Sequence, residues 1–150
     1  MTKYALKSPP HITLKMPFVH NENKEGELVK LLRRFFEQEK SFSLSLGKIG
    51  SFGSRVAFIK VKYPPELKSC QQRLIDFSKT VLKKNIELSD SNYHPHLTLA
   101  YRDVKKEQFE SVLEYLKDNS VKGSFDVQQV YLLKKVDGNW RTIEEIKLSC

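Results

Sequence analysis

PPHITLKM, residues 9–16, and YHPHLTLAYR, residues 93–102, write one phrase twice: proline, histidine, an aliphatic residue, threonine, leucine. The chain has four histidines, and two of them, His11 and His96, stand in these matched settings. Read as strands, both stretches send alternate side chains to opposite faces. His11, Thr13 and Lys15 then share one face, while Ile12, Leu14 and Met16 take the other. In the second stretch His96, Thr98, Ala100 and Arg102 face together, against Leu97, Leu99 and Tyr101. Each strand therefore has an apolar back for a core and a polar front for a ligand.

The surroundings of the two phrases also match. KYAL (Lys3 to Leu6) reads as a short strand end, and KSPP as a stiff turn before the strand HITLKMPF. Between Glu25 and Lys40, Leu28, Leu31, Leu32, Phe35 and Phe36 recur at steps of three and four, the stripe of an amphipathic helix. FSLSLGKIGSF (Phe42 to Phe52) and RVAFIKVKY (Arg55 to Tyr63) follow as a hairpin turning at Gly53-Ser54. Pro64-Pro65 opens a long helix carrying Leu67, Cys70, Leu74, Phe77 and Val81 inward. The polar link LSDSN then leads to the strand HPHLTLAYR. The helix KKEQFESVLEYLKDN buries Phe109, Val112, Leu113 and Leu116, and FDVQQVYLLKKV with WRTIEEIKLS predicts a second hairpin about Asp137-Gly138.

Histidine strand, helix, hairpin is thus written twice. Phe42 opens the first hairpin 31 residues after His11, and Phe125 the second 29 residues after His96. The spacing predicts a duplicated unit, with a first repeat of about 11–63 and a second of about 96–148, inside one domain spanning 1–150. A full helix precedes the second histidine strand and only ten residues the first. Either the chain is trimmed at its start or its first lobe is smaller.

Twenty-six basic residues against 18 acidic ones give a formal charge of +8. Such an excess concentrates polyanions, which favours RNA or phosphorylated small molecules as partners, although ordinary solubility explains many basic surfaces. The two cysteines, Cys70 and Cys150, have no metal-binding or disulfide spacing, which fits a reducing, cytoplasmic setting. No run approaches the roughly 20 apolar residues of a bilayer span, and no obligate protein partner is evident.

If a pseudo-twofold axis relates the halves, the two polar fronts face each other across a cleft, and two imidazoles with two hydroxyls there suit phosphodiester chemistry without a metal or other cofactor. One group must take a proton from the nucleophile and another must give one to the leaving oxygen. Imidazole titrates nearest neutrality and serves both. Threonine hydroxyls can donate to non-bridging oxygens as negative charge grows. Lys15 and Arg102 are candidate substrate-binding residues, with a solvated strand end as the plainer reading of each. His94 and His96, two apart, could ligate a metal with His11 or Asp90, but the surrounding spacing offers no further ligand. Tyr101 falls on the core face by alternation, which counts against base stacking. Phe18 does so too if the strand runs past Pro17, which can end the alternation before it, and His20 reads as a solvated loop residue.

HITL at residues 11–14 and HLTL at 96–99, each after a proline, resemble the paired His-x-Thr-x signatures of the two-histidine phosphoesterase superfamily. More closely, they resemble its 2′-5′ RNA ligase and RNA 2′,3′-cyclic phosphodiesterase branch. The resemblance implies a bilobal α+β fold, with two antiparallel sheets lining a central cleft, helices outside and the lobes interleaved. It implies hydrolysis of 2′,3′-cyclic phosphate or 2′-5′ linkages of RNA or nucleotides, with His11 as acid, His96 as base, and Thr13 and Thr98 binding phosphate. Family members have a strand and helix before the first motif, so this chain departs there from the pattern. The other reading is a nucleotide- or RNA-binding module that keeps the groove and turns over little.

Overall fold

The computed structural model describes residues 1–150. Helix α1 (Glu25–Phe36) has glutamates in its first turn and arginines in its last, each sign complementing the helix dipole. Its stripe buries Leu28, Leu32 and Phe36. Strands β1 (Phe42–Phe52) and β2 (Val56–Lys62) form the first hairpin. Its turn needs Gly53, whose φ of +57° disfavours a side chain. Helix α2 (Pro65–Thr80) starts at the predicted proline. Then come α3 (Leu88–Ser91), β3 (His96–Tyr101), α4 (Lys106–Asp118), β4 (Gly123–Val127), β5 (Gln129–Val136) and β6 (Asn139–Lys147).

The fold is α+β, with two antiparallel sheets. One has four strands in the order β3-β2-β1-β4, and the other is the β5-β6 pair. The hairpin that follows the first histidine segment pairs with the strand that carries the second histidine, through β2 and β3. Two apolar clusters hold the layers together. Leu28, Leu32 and Phe36 of α1 pack with Leu67 and Leu74 of α2 and Ile146 of β6. Phe109 and Leu113 of α4 pack with Ile49, Ala57, Ile59 and Ala100. Full burial of a leucine or phenylalanine contributes about 1.5–3 kcal/mol, so these faces fix where the strands lie.

Four local expectations are corrected. KYAL is not a strand end: Ala5–Lys7 form a 3-10 turn, and the Thr2 N–H donates to the Leu99 carbonyl. HITLKMPF is not a ladder strand. It makes a single antiparallel bridge, Ile12 to Leu97. Pro9, Pro10 and Pro17 bring no N–H, and side chains take several backbone groups that a ladder would use. The Asp90 carboxylate accepts the Met16 N–H, Tyr93 donates to the Thr13 carbonyl, and Gln71 donates to the Leu14 carbonyl.

FDVQQVYLLKKV is two strands rather than one. It breaks at Gln128, so β4 pairs with β1 while β5 turns back on β6. The β5-β6 turn does fall at Asp137-Gly138, where φ is positive at both residues. LSDSN, predicted as a link, folds as α3. The Glu87 side chain caps Asp90, and the Asp90 carboxylate accepts the Glu87 N–H.

Candidate active site

The Ile12–Leu97 bridge sets the site. Extending its antiparallel register by one residue each way puts His11 across from Thr98 and Thr13 across from His96. Histidine and threonine of each motif face the threonine and histidine of the other. In a regular antiparallel ladder directly opposite residues stand about 4.5–5.5 Å apart, and diagonal neighbours, as His11 and His96 would be, about 7–8 Å.

Both imidazoles are anchored in the same way. His11 Nδ1 lies 2.7 Å from the Pro9 carbonyl oxygen, and His96 Nδ1 lies 2.7 Å from that of His94. A carbonyl only accepts, so each Nδ1 carries the proton and donates. Each neutral ring therefore keeps its proton on Nδ1, and Nε2 is left to give or take one. The sequence places the same brace, a carbonyl two residues upstream, in both motifs.

A cleft of about 300 Å³ opens beside His96, lined by Thr13, Met16, Phe52, Tyr93 and His94 among others. His11 lines an adjoining, mostly apolar groove of about 790 Å³ that runs toward β5, and Thr13 borders both. Thr98 sits on β3 across from Phe58 of β2, half-buried.

Supporting residues fix the first motif although it lacks a ladder. The Tyr93 hydroxyl donates to the Thr13 carbonyl at 2.9 Å. Burial, first of all, pushes its phenol far above the ordinary tyrosine range. Asp90 is buried and takes three donors: the Met16 N–H at 2.7 Å, Lys15 Nζ at 2.8 Å and the Glu87 N–H at 3.0 Å.

Lys15 thus departs from its expected role. Its side chain is 8% exposed and its ammonium is held by Asp90 and the Met16 carbonyl, so it braces the motif instead of meeting a ligand. Arg102 departs too. A bulge between the β2 and β3 registers inserts Leu99, so Ala100 turns into the core at 1% exposure instead of fronting the cleft. Arg102 follows the strand with φ of +58°, its guanidinium over the Tyr101 ring.

His94 and Asp90, candidate metal ligands with His96, differ in what they engage: His94 lines the cleft, while the Asp90 carboxylate is taken up by the chain's own donors. The His94 carbonyl holds His96, and the Asp90 oxygens hold the three donors above. His20 is half-buried with Nε2 against the Lys24 carbonyl, not solvated. Phe18 packs on the larger apolar cluster.

Two features were missed from sequence. Lys60 of β2 stands across from His96, exposed. The signal was available in the alternation of RVAFIKVKY, which separates Phe58 and Lys60 from Ala57, Ile59 and Val61, but pairing decides which strand neighbours which. Phe52 and Phe58 crowd His96, each ring centroid 5.1 Å from the imidazole.

The family model of the 2′-5′ RNA ligase superfamily matches residues 2–139. The chain belongs to the 2′-5′ RNA ligase superfamily. A Geobacillus sp. (strain WCH70) relative is 31% identical over 94% of this chain and 79% of its own. A Bacillus cytotoxicus relative is 38% identical over 66% of this chain, which spans 55% of that relative's length. Both carry the name "Putative phosphoesterase".

Two solved structures share the fold. The crystal structure of TT0787 of Thermus thermophilus aligns with a TM-score of 0.65 at 20% identity, covering 93% of this chain and 78% of that one. The structure of E. coli LigT complexed with 3′-AMP aligns with a TM-score of 0.61 at 21% identity, covering 94% and 76%. Family and relatives together support a phosphoesterase of the two-histidine type. No helix of this superfamily member is long and apolar enough to cross a membrane.

Proposed function

We propose that residues 1–150 act as one metal-independent phosphoesterase domain that opens the 2′,3′-cyclic phosphate of RNA ends or nucleotides by paired histidine catalysis. The observation that carries this reading is the crossed register of the two motifs, with each imidazole held through Nδ1 by its own upstream carbonyl. Rings held in this way would leave both Nε2 atoms free to serve one phosphate lying between the motifs. The basic net charge of +8 and the 3′-AMP in the E. coli neighbour favour a nucleotide as the phosphate's carrier.

The step balances without a metal. His96 Nε2 takes a proton from water as the water oxygen bonds to phosphorus. The bond from phosphorus to the 3′ oxygen breaks, and that oxygen takes the proton from the His11 imidazolium. A 2′-phosphate and a 3′-hydroxyl result, and the two rings exchange protonation states before the next turnover. Thr13 and Thr98 donate to the non-bridging oxygens. The acid and base assignments follow the family resemblance. General acid and base assistance supplies about 10²–10⁴-fold, and oriented donors supply the remainder.

The decisive experiment is hydrolysis of adenosine 2′,3′-cyclic phosphate with EDTA present. Turnover that survives chelation, with the 2′-phosphate as product, is expected. Turnover abolished by EDTA would replace this mechanism with a metal-dependent one. Binding without turnover would leave a nucleotide-binding module.

A further inference from the structure

Phe52 ends β1 at the lip of the cleft, and 45% of it is exposed. Large aromatic side chains usually bury most of their surface, so an open ring beside a histidine needs a reason. Its ring lies 4.3 Å from that of Phe58 at 35° between planes. Against His96 it stands 5.1 Å away at 86°, edge to face. Phe58 itself is buried, at 6% exposure, and completes the triangle with His96 at 5.1 Å.

Gly50 makes room for this arrangement. A Cβ at Gly50 would come within 2.8 Å of Phe58 Cε2 and 2.9 Å of Lys60 Cε. Any side chain there would push both Phe58 and Lys60 off their seats beside His96. Of the three rings, Phe52 alone is exposed. Phe58 backs it, His96 meets it at right angles, and one flank is left toward solvent and the cleft.

We infer that Phe52 is the stacking platform for the nucleobase of the substrate, with Phe58 as its rigid backing. This rests on the phosphoesterase reading above, which seats the substrate's phosphate at His96 beside the ring. The ribose that joins base to phosphate then spans the gap from His96 to the ring. The preferred substrates are nucleotides or RNA ends rather than base-free cyclic phosphates. Stacking accepts any base, because every base has a π-face. Preference therefore follows stacking area, with purines ahead of pyrimidines and no base excluded.

The test compares two cyclic phosphates with one reacting group. Adenosine 2′,3′-cyclic phosphate carries a base, and methyl β-D-ribofuranoside 2,3-cyclic phosphate does not. Wild-type protein should favour the first in kcat/KM. Phe52→Ala should lower that preference by about 5- to 150-fold, the usual range for losing one stacked base, chiefly through KM. The drop for the base-free compound should be far smaller, and Phe52→Trp should restore the preference. Circular dichroism and thermal melting check that Phe52→Ala is folded.

Equal losses on both compounds, or none on either, would overturn the stacking role while leaving the paired-histidine reading intact. If wild-type protein turns over neither compound, the catalytic reading fails. Titration with 3′-AMP then decides the platform: binding weakened at least fivefold by Phe52→Ala sustains it, and unchanged or absent binding removes it.

Discussion

The Tyr93 hydroxyl donates to the Thr13 carbonyl at 2.9 Å, so the loop entering the second motif holds the backbone of the first. This bond stands in for a ladder that the first motif lacks beyond Ile12. Tyr93→Phe removes the donor and leaves a half-buried carbonyl short of a partner. A loss of about 0.5–1.5 kcal/mol in folding stability is expected. Because Thr13 faces His96, kcat should fall more than KM rises. Urea denaturation and steady-state kinetics on a cyclic nucleotide measure both.

His11→Ala and His96→Ala should each abolish hydrolysis while the melting transition persists, since both rings stand at the cleft margins and outside the two core clusters. One histidine must be charged and the other neutral in the same molecule. The rate of the wild type should therefore fall at both low and high pH, giving a bell. A flat profile, or a single variant with near-normal rate, would refute the paired mechanism.

Much of this was legible in the sequence, and the parts that were not have physical causes. The three long helices and the first hairpin followed from apolar periodicity and from Gly53, because those signals are local, whereas the one-turn α3 has no apolar stripe to announce it. The motif residues were legible because a phrase repeated in matched contexts is not a local accident. Three readings failed where tertiary contacts override local pattern. Pro9, Pro10 and Pro17, together with the Asp90 carboxylate, take the first motif out of a ladder although its alternation is good. The bulge at Leu99 turns Ala100 from the front to the core, and nothing in HLTLAYR marks it. Lys15 has a buried partner 75 residues away, which no spacing rule reaches.

That partner makes Asp90 a sensitive position. Lys15 and Asp90 are 8% and 1% exposed in their side chains. Asp90→Asn would leave the ammonium buried without its counter-charge. Breaking one side of a buried pair costs about 3–5 kcal/mol, a large share of the roughly 5–15 kcal/mol that holds a domain. Thermal melting should show the loss, and adding Lys15→Met should recover part of it. Full stability in Asp90→Asn alone would mean that the pair does not brace the first motif.

Lys60 faces a different test, because it is exposed and stands across from His96 on the neighbouring strand. A cation there attracts the phosphate of an incoming nucleotide without forming a fixed bond. Lys60→Ala should raise KM several-fold at low salt, and the difference should shrink as ionic strength shortens the screening length to about 8 Å at physiological salt. Melting should change little. Kinetics at two salt concentrations separate this from a packing effect, which salt would not erase.

Acid should weaken the fold through Glu39, whose carboxylate lies inside the core boundary and takes two donors from Arg73, Nε at 2.7 Å and Nη2 at 2.6 Å. The Arg73 hydrogen bonds hold the Glu39 carboxyl below its ordinary value of 4.5, although burial pulls the other way. The same burial is the main cause that pushes the neighbouring Cys70 thiol up to about 12, so it stays protonated and plays no part in this range. A carboxylate depressed by folding binds fewer protons in the native than in the unfolded chain. Its stabilisation is therefore complete above the ordinary value and is lost as pH falls through the depressed one. Glu39→Gln should cost about 1–2 kcal/mol at neutral pH, a figure reduced because Arg73 is half in solvent. The gap between wild type and variant should narrow as pH falls below about 4.5 and close once the depressed value is passed. Denaturation midpoints of both proteins, followed from roughly pH 7 to 3, would show that convergence, and a gap that stayed constant with pH would remove Glu39 as the titrating group.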